Sequence, residues 1–358
     1  MRVTGCKSAQ LLTRCTTSLC LCLSLTTAIA DNYAYYQPHD YGSDALYSPL
    51  GNFLSYSFDT LQLPDSFDTS DFRKHTNEVF DHLRHPRRAI ENEGGFNAFV
   101  NRQIFPVDSA NSNESYAALP NYALHLLGGG MVYRKDLEYF RAQKAEYPAV
   151  YATTLAMTAE ILQEIFEKGT TTQDDEVADV YLFRPLGIWL FHQDAVADFV
   201  MRTLDPAIWP YLQAFDFSQD RLVNTGISYV YRPPATRFGD SRLFVFTGLN
   251  NLVGLSHSLS HTDSISWGIG LATQRIDFNL DRQAELETSF GIFYDRDKSL
   301  LWSINLNDAG GTNFRFNLFP STGSTLSKLG YFLSHHENQR WALGLLYQLP
   351  LGIAFSSD

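Results

Sequence analysis

Beyond residue 30 the chain has no cysteine: Cys6, Cys15, Cys20 and Cys22 all fall within the first 30 of 358 residues. A disulfide frame, a thiolate metal site and a cysteine nucleophile are thereby excluded from the rest of the chain. Cations are scarce too. There are 27 Lys and Arg against 39 Asp and Glu, a formal net charge of -12, which is no footprint for a phosphate backbone and excludes nucleic acid as a partner. Charged residues make up only 18%, too few for a coiled coil, while 14% aromatics are too many for a disordered chain. No run reaches the roughly 18 uninterrupted apolar residues of a membrane-crossing helix. The nearest, 177–191, is broken by Asp179, Arg184 and Pro185. Nor is there a phosphate-binding loop, an H-E-x-x-H pair, a G-x-S-x-G elbow or an internal repeat of about 20 to 50 residues.

What is present begins with a leader. Arg2, Lys7 and Arg14 precede an apolar run at 19–25, and Ala28, Ile29 and Ala30 stand before Asp31, the charge, core and small-residue order of a secretory signal. Leu19 and Leu21 stand before Cys20 and Cys22 where a lipidated cysteine usually follows a small residue, so a lipoprotein anchor is not expected. Without residues 1–30 the charge becomes 24 basic against 39 acidic, or -15. An exported, acidic, cysteine-free chain without a helical anchor fits a Gram-negative envelope, and the expected location is the outer membrane.

Residues 31–69 read as an extended Tyr-rich leader, with Leu54, Tyr56 and Phe58 alternating with Ser55, Ser57 and Asp59 in 52–63, either a strand or a loose arm. Residues 70–217 read as a helical domain. Ser70 and Asp71 can cap a helix running to His85, and 107–120 is a polar loop that includes a glycosylation-type Asn113, Glu114, Ser115 triplet. Helices are expected over 121–127, 131–146 after a kink at Gly128, Gly129 and Gly130, 149–168 and 193–204, with Asp174 and Asp175 in a loop and cap.

After Phe217 the period switches to two. Trp341, Leu343, Leu345 and Tyr347 alternate with Ala342, Gly344, Leu346 and Gln348; Ile265, Trp267, Ile269 and Leu271 alternate with Ser266, Gly268, Gly270 and Ala272. About eight strands follow, at 222–232, 242–256, 263–280, 284–296, 299–307, 312–319, 326–336 and 340–355. A soluble sandwich would oppose its large face with Lys, Glu and Thr. Here the opposing face is Gly, Ser, Ala and Asn, which fits the crowded interior of a narrow barrel whose large face meets lipid. The fold class expected is therefore α+β: a helical domain followed by an antiparallel outer-membrane-type β-barrel over 218–358. Outer-membrane lipid and the barrel assembly machinery are its expected partners. The stretch from Gly344 to Leu349 is similar to the terminal assembly signal of such barrels, although Pro350 intrudes and Phe355 stops three residues short of the end.

Chemistry concentrates in the helical domain. Glu160, Glu164 and Glu167 are spaced i, i+4 and i+7 on one helix face, His125 lies among leucines, and Asp175 and Asp179 follow. Converging from separate elements, such residues supply either an acid/base set (His125, Glu160, Glu164) or ligands for a divalent metal (His125, Glu164, Asp175, Asp179). The plainer alternative is a solvated glutamate face, an Asp helix cap and a hydrogen-bonded core histidine. His75, His82 and His85 near Arg84, Arg87 and Arg88 read as a basic surface for lipid head groups or for the protein's own acidic domain. His257, His261, His335 and His336 with neighbouring Ser258 and Ser334 sit at strand ends without a nucleophile motif.

Residues 120–192 resemble a family of uncharacterised bacterial envelope proteins carrying a domain of unknown function. The resemblance rests on Pro120, Asn121, Tyr122, Ala123, Leu124 and His125, on the Gly128, Gly129, Gly130 run, on Glu160 to Glu164, on Asp175 to Asp179, and on Pro185, Leu186 and Gly187. It implies a helical His/Glu/Asp segment joined to an outer-membrane barrel and lends weight to His125, Glu164, Asp175 and Asp179 as a functional group. Two functions stand: a structural or lipid- and partner-binding envelope component, and a membrane-associated, metal-dependent hydrolase of lipid or envelope polymer.

Overall fold

The computed structural model describes residues 34–62, 71–92, 94–105, 121–168, 175–276, 284–320, 329–338, 340–347 and 349–357. The leader 1–30, the loop 107–120 with its Asn113 triplet, and Asp174 lie outside the described residues. Helices occupy the first half: α1 (Gly42–Ala45), α2 (Pro49–Ser57), α3 (Phe72–Arg84), α4 (Pro86–Asn92), α5 (Phe96–Phe99), α6 (Gly129–Ala142), α7 (Pro148–Glu167), α8 (Glu176–Ala178), α9 (Arg184–His192) and α10 (Asp194–Leu204). Three π-helical segments join them, at Val100–Ile104, Asn121–Gly128 and Asp179–Phe183. Among the described residues no helix is long and apolar enough to cross a membrane.

Residues 52–62 of the expected strand or arm are not a strand but fall in α2 and a 3-10 turn at Asp59–Gln62. Pro49 opens α2 with its φ already helical, and Ser48 Oγ accepts the Gly51 N–H at 3.0 Å, so the cap overrides the alternation. The glycine run at 128–130 does not interrupt its helix either; it lies where the π-helical segment passes into α6. A Cβ on Gly128, Gly129 or Gly130 would overlap Tyr229, the Arg184 guanidinium or Phe191, so these glycines serve close packing.

The strands are β1 (Ala207–Pro210), β2 (Ala214–Asp216), β3 (Arg221–Val223), β4 (Ile227–Tyr231), β5 (Arg237–Phe238), β6 (Ser241–Thr247) and β7 (Asn250–Ser258). They continue as β8 (Asp263–Ile276), β9 (Ala284–Arg296), β10 (Ser299–Asp308), β11 (Thr312–Leu318), β12 (Leu329–His336), β13 (Trp341–Tyr347) and β14 (Gly352–Ser356). All fourteen belong to one curled sheet with the order β1-β4-β6-β7-β8-β9-β10-β11-β12-β13-β14-β2-β3, and β5 attached to β6. Every ladder is antiparallel except β14 with β2.

The expected eight strands are thus too few. A turn at Gly248 and Leu249 divides 242–256 into β6 and β7, and Pro350 stands in the turn that divides 340–355 into β13 and β14. Strands also begin at Ala207, inside the expected helical domain. The β9–β10 turn is tight because Asp297 and Lys298 both adopt positive φ, 49° and 69°, which matches the twist of a two-residue hairpin.

Residues 207–216 and 221–231 form one long hairpin. β1 pairs with β4 (Ala207 with Val230) and β2 with β3 (Ala214 with Val223) in the same register, and the Tyr211 N–H donates to Gly226 O at 3.0 Å between the two ladders. β4 carries the pairing to β6, and β2 carries it to β14. β4 is buried on both faces. Ile227, Tyr229 and Tyr231 pack with Met131, Tyr133, Leu137, Ala156 and Phe191 of the helices, whereas Val230 joins Trp209, Phe244, Phe246 and Phe293 inside the sheet. This hairpin is the seam that fixes the helices to the strands.

Along β13 and β14 the burial alternates, with Leu346 the large side chain on the buried face: Ala342 is 1% accessible and Leu343 59%, Ala354 0% and Phe355 58%. The same holds in β8, where Ser264, Ser266, Gly268 and Ala272 are buried and Trp267, Ile269 and Leu271 exposed. The concave face also holds a polar network. Arg315 NH1 donates to Asn224 Oδ1 at 2.7 Å, its Nε lies 2.5 Å from Asp308 Oδ2, and its guanidinium stands over the Tyr211 ring at 4.8 Å. Arg232 donates to both oxygens of Asp295 at 2.8 and 2.9 Å. Strands remote in ladder order therefore meet through their inward side chains.

Candidate functional site

The glutamate face of α7 points inward. Pro148 starts this helix at its first turn, Ala152, Ala156 and Ala159 let neighbouring elements approach closely, and the stretch 163–166 is buried. Glu160 is 0% accessible and Glu164 3%, with Glu167 half-buried, so the solvated-face alternative does not hold. His125 comes from the π-helical segment ahead of α6, and Asp179 opens the one after α8. Both are buried. Asp175 does not use its side chain as a cap for α8.

His125 Nδ1 lies 2.6 Å from Glu160 Oε1, and the other Glu160 oxygen accepts the Tyr56 hydroxyl at 2.8 Å. Arg184 Nε stands 3.4 Å from that same oxygen and donates to Ala156 O at 3.3 Å, with the guanidinium 4.6 Å over the Tyr56 ring. On its far side, His125 Nε2 faces Asp179 Oδ2 at 3.9 Å, beyond hydrogen-bond reach. Neither Asp179 oxygen has a hydrogen-bond partner, nor do Glu164 Oε1 and Asp59 Oδ1, although all four atoms are buried.

The candidates therefore divide. His125, Glu160 and Asp179 form one group; Glu164 and Asp175 join Glu176 in a second, each residue offering an atom within 4.8 Å of the others. Glu176 is also held by Lys168 Nζ at 3.0 Å and by His82 Nδ1, so the basic stretch does meet the protein's own acidic residues. His75, from the same stretch, is buried rather than part of a surface.

Electrostatics follow from burial and crowding. Burial alone would lower the His125 imidazole, but Asp179 and Glu160 overcome it and hold the ring well above its ordinary range. Burial would raise Glu160, but His125 and then Arg184 bring it below the usual carboxylate value. Glu164 has no such cation: burial, then Asp175 and Asp179, push it well up. Burial raises Asp179 as well, partly offset by His125, and carries Glu167 to about 8, Asp59 to about 7 and Asp175 to about 6.

Tyr56, Asp59, Arg184 and Glu176 escaped the sequence reading as site residues. Arg184 carried a usable signal, a lone cation in an otherwise apolar stretch, because such a group is buried only against an acid. At the strand ends, His257 Nδ1 lies 3.1 Å from Ser241 Oγ, and His336 meets the hydroxyls of Thr312 and Ser334 at 3.3 Å each. Burial, then Arg315, lowers His336 to about 4. No protein-family model, no curated protein and no solved structure matches this chain.

Proposed function

We propose that this protein is an outer-membrane β-barrel with a periplasm-side helical domain, serving as a structural, lipid- or partner-binding component of a Gram-negative envelope. The observation that carries this reading is the inverted burial of the strands, with Leu343, Phe355, Ile269 and Trp267 outward and Gly, Ala and Ser inward. A large apolar face turned outward is stable against hydrocarbon and costly against water, at about 25 cal/mol per Å2. Barrel closure is part of the proposal. The ladder order reaches the same hairpin from both ends, through β4 at one and β2 at the other, which supports a ring of β6 to β14 with the two hairpin strands. The leader at 1–30 supports export, and the barrel assembly machinery is the expected insertion partner.

Fractionation of expressing cells, followed by gel mobility with and without boiling, tests this reading. An outer-membrane band that shifts on boiling is expected, since closed barrels keep their fold in detergent until heated. A soluble band with no shift overturns it.

A second reading, a membrane-associated hydrolase with a divalent metal, is favoured by the geometry around His125. Metal-bound histidines usually donate their second ring N–H to a carboxylate, and Glu160 occupies that place at Nδ1. The 3.9 Å between Nε2 and Asp179 Oδ2 leaves room for an ion about 2.0 to 2.2 Å from each. Metal content of the purified protein, compared with His125→Ala, separates the two readings. Folded variant with lost metal supports the centre, whereas metal-free wild type removes it.

A further inference from the structure

The positive charge facing this centre is too small for its negative charge. Six carboxylates (Asp59, Glu160, Glu164, Glu167, Asp175 and Asp179) act on one another and on His125. Among the described residues the cations that act on them are His125, Arg184 and Lys168, fewer than the acids they face. Lys168 is shared with Glu176, a seventh acid, which holds that ammonium at 3.0 Å. In a desolvated interior such a surplus is met by protons or by metal ions.

One divalent cation between His125 and Asp179 answers only part of it, because the imidazole gives up its Nε2 proton to bind the ion. The remainder lies where Glu164, Asp175 and Glu176 converge within 4.8 Å. Independently of that crowding, Glu164 Oε1 is buried with no hydrogen-bond partner, in a residue only 3% accessible. The backbone also repeats the arrangement. Glu160 and Glu164 stand one turn apart on α7, and Asp175 and Asp179 stand one turn apart across α8, so two acidic rungs face each other at successive levels.

On this basis we infer that the centre binds two divalent cations, the first at His125 and Asp179 and the second at Glu164 and Asp175, with Glu176 beside the second. The inference rests on the reading of a first cation at His125 and adds a neighbour to it. An all-carboxylate second site selects a hard ion of the Mg2+ or Mn2+ class, whereas the imidazole of the first also suits Zn2+ or Fe2+.

The full-length protein, folded in detergent and stripped by chelator, would be titrated with Mn2+, with bound metal counted after dialysis and its electron paramagnetic resonance recorded. Two ions per chain with a spin-coupled spectrum are expected for the wild type. Glu164→Gln and Asp175→Asn should each fall to one ion, with the six-line spectrum of an isolated Mn2+, while retaining the wild-type circular dichroism. One ion per chain in the wild type, unchanged in Glu164→Gln, overturns the second site and leaves the first standing. No bound ion overturns both and assigns the surplus to protons. Two ions that persist in both variants overturn the assignment to Glu164 and Asp175. The wild-type count decides whether a second ion binds even where one variant fails to fold, and the other variant then tests the assignment.

Discussion

Leu343 in β13 is more than half exposed while Glu164 in α7 is buried, each the reverse of what its side chain does in an ordinary water-soluble core. The strands put much of their apolar surface outward, and their concave side holds Gly, Ala and Ser, an aromatic cluster around Trp209, Phe244 and Phe293, and an Arg315–Asp308 network. The helices do the opposite with polarity: their apolar residues pack on β4, and their acids converge around His125. Polar groups are hidden in both halves, but by different means. Inside the sheet cation meets anion, Arg315 against Asp308 and Arg232 against Asp295, whereas around His125 buried acids crowd one another, with Glu164 Oε1 and both Asp179 oxygens lacking a hydrogen bond. A charge-paired network specifies packing, and crowded buried carboxylates point to a ligand.

The largest effect is expected at the helical centre. Arg184→Ala removes a buried cation and leaves Glu160 with less compensation, so the metal-free protein should lose about 3 to 5 kcal/mol in denaturant unfolding. Loss under 1 kcal/mol would mean that the helical acids are not held by this pair.

On the sheet, Leu343→Lys separates the two possible solvents. It should cost about 2 to 4 kcal/mol in vesicle refolding if that face meets the middle of a bilayer. A cost within about 0.5 kcal/mol is what water outside would give.

Asp136 sharpens the helical side away from the acidic centre. It accepts the Tyr47 hydroxyl at 2.5 Å, and burial raises it to about 7 from an ordinary 3.8. A carboxyl raised in the folded state binds its proton more tightly there than in the unfolded chain. Its contribution to stability is therefore full below pH 4, declines between 4 and 7 by up to about 1.4 kcal/mol per pH unit, and is gone above that window. The wild type should lose more stability than Asp136→Asn across this range; parallel pH profiles would refute the assignment. The smallest effect belongs to Arg87 and Glu91, a highly exposed pair at 2.9 Å, where Arg87→Ala should shift stability by less than about 0.5 kcal/mol.

Much of the sheet is legible in the sequence because side-chain size alternates with the pleat: Leu343 beside Gly344 and Trp267 beside Gly268 already state which face is crowded. The strand number is not legible where turns lack a glycine pair. Gly248 and Leu249 divide the expected 242–256, Pro350 stands in the turn that divides 340–355, and 207–216 lies inside the stretch read as a helical domain. At the site, helical spacing places Glu160, Glu164 and Glu167 on one face. It does not say whether that face meets water, because the deciding partners Tyr56, Asp59 and Arg184 come from distant segments.

The one parallel ladder has a kinetic consequence. Its first pairing joins Gly352 to Ala214, near opposite ends of the strand region, while each antiparallel ladder from β6 to β14 joins consecutive strands. Bringing such remote residues together costs about 4 kcal/mol of loop-closure entropy, returned only after the intervening hairpins shorten the effective loop. β14 should therefore be the last strand to dock. Until it does, β2 keeps an unpaired edge, and that edge is where a stalled chain would pair with a second copy and begin to aggregate.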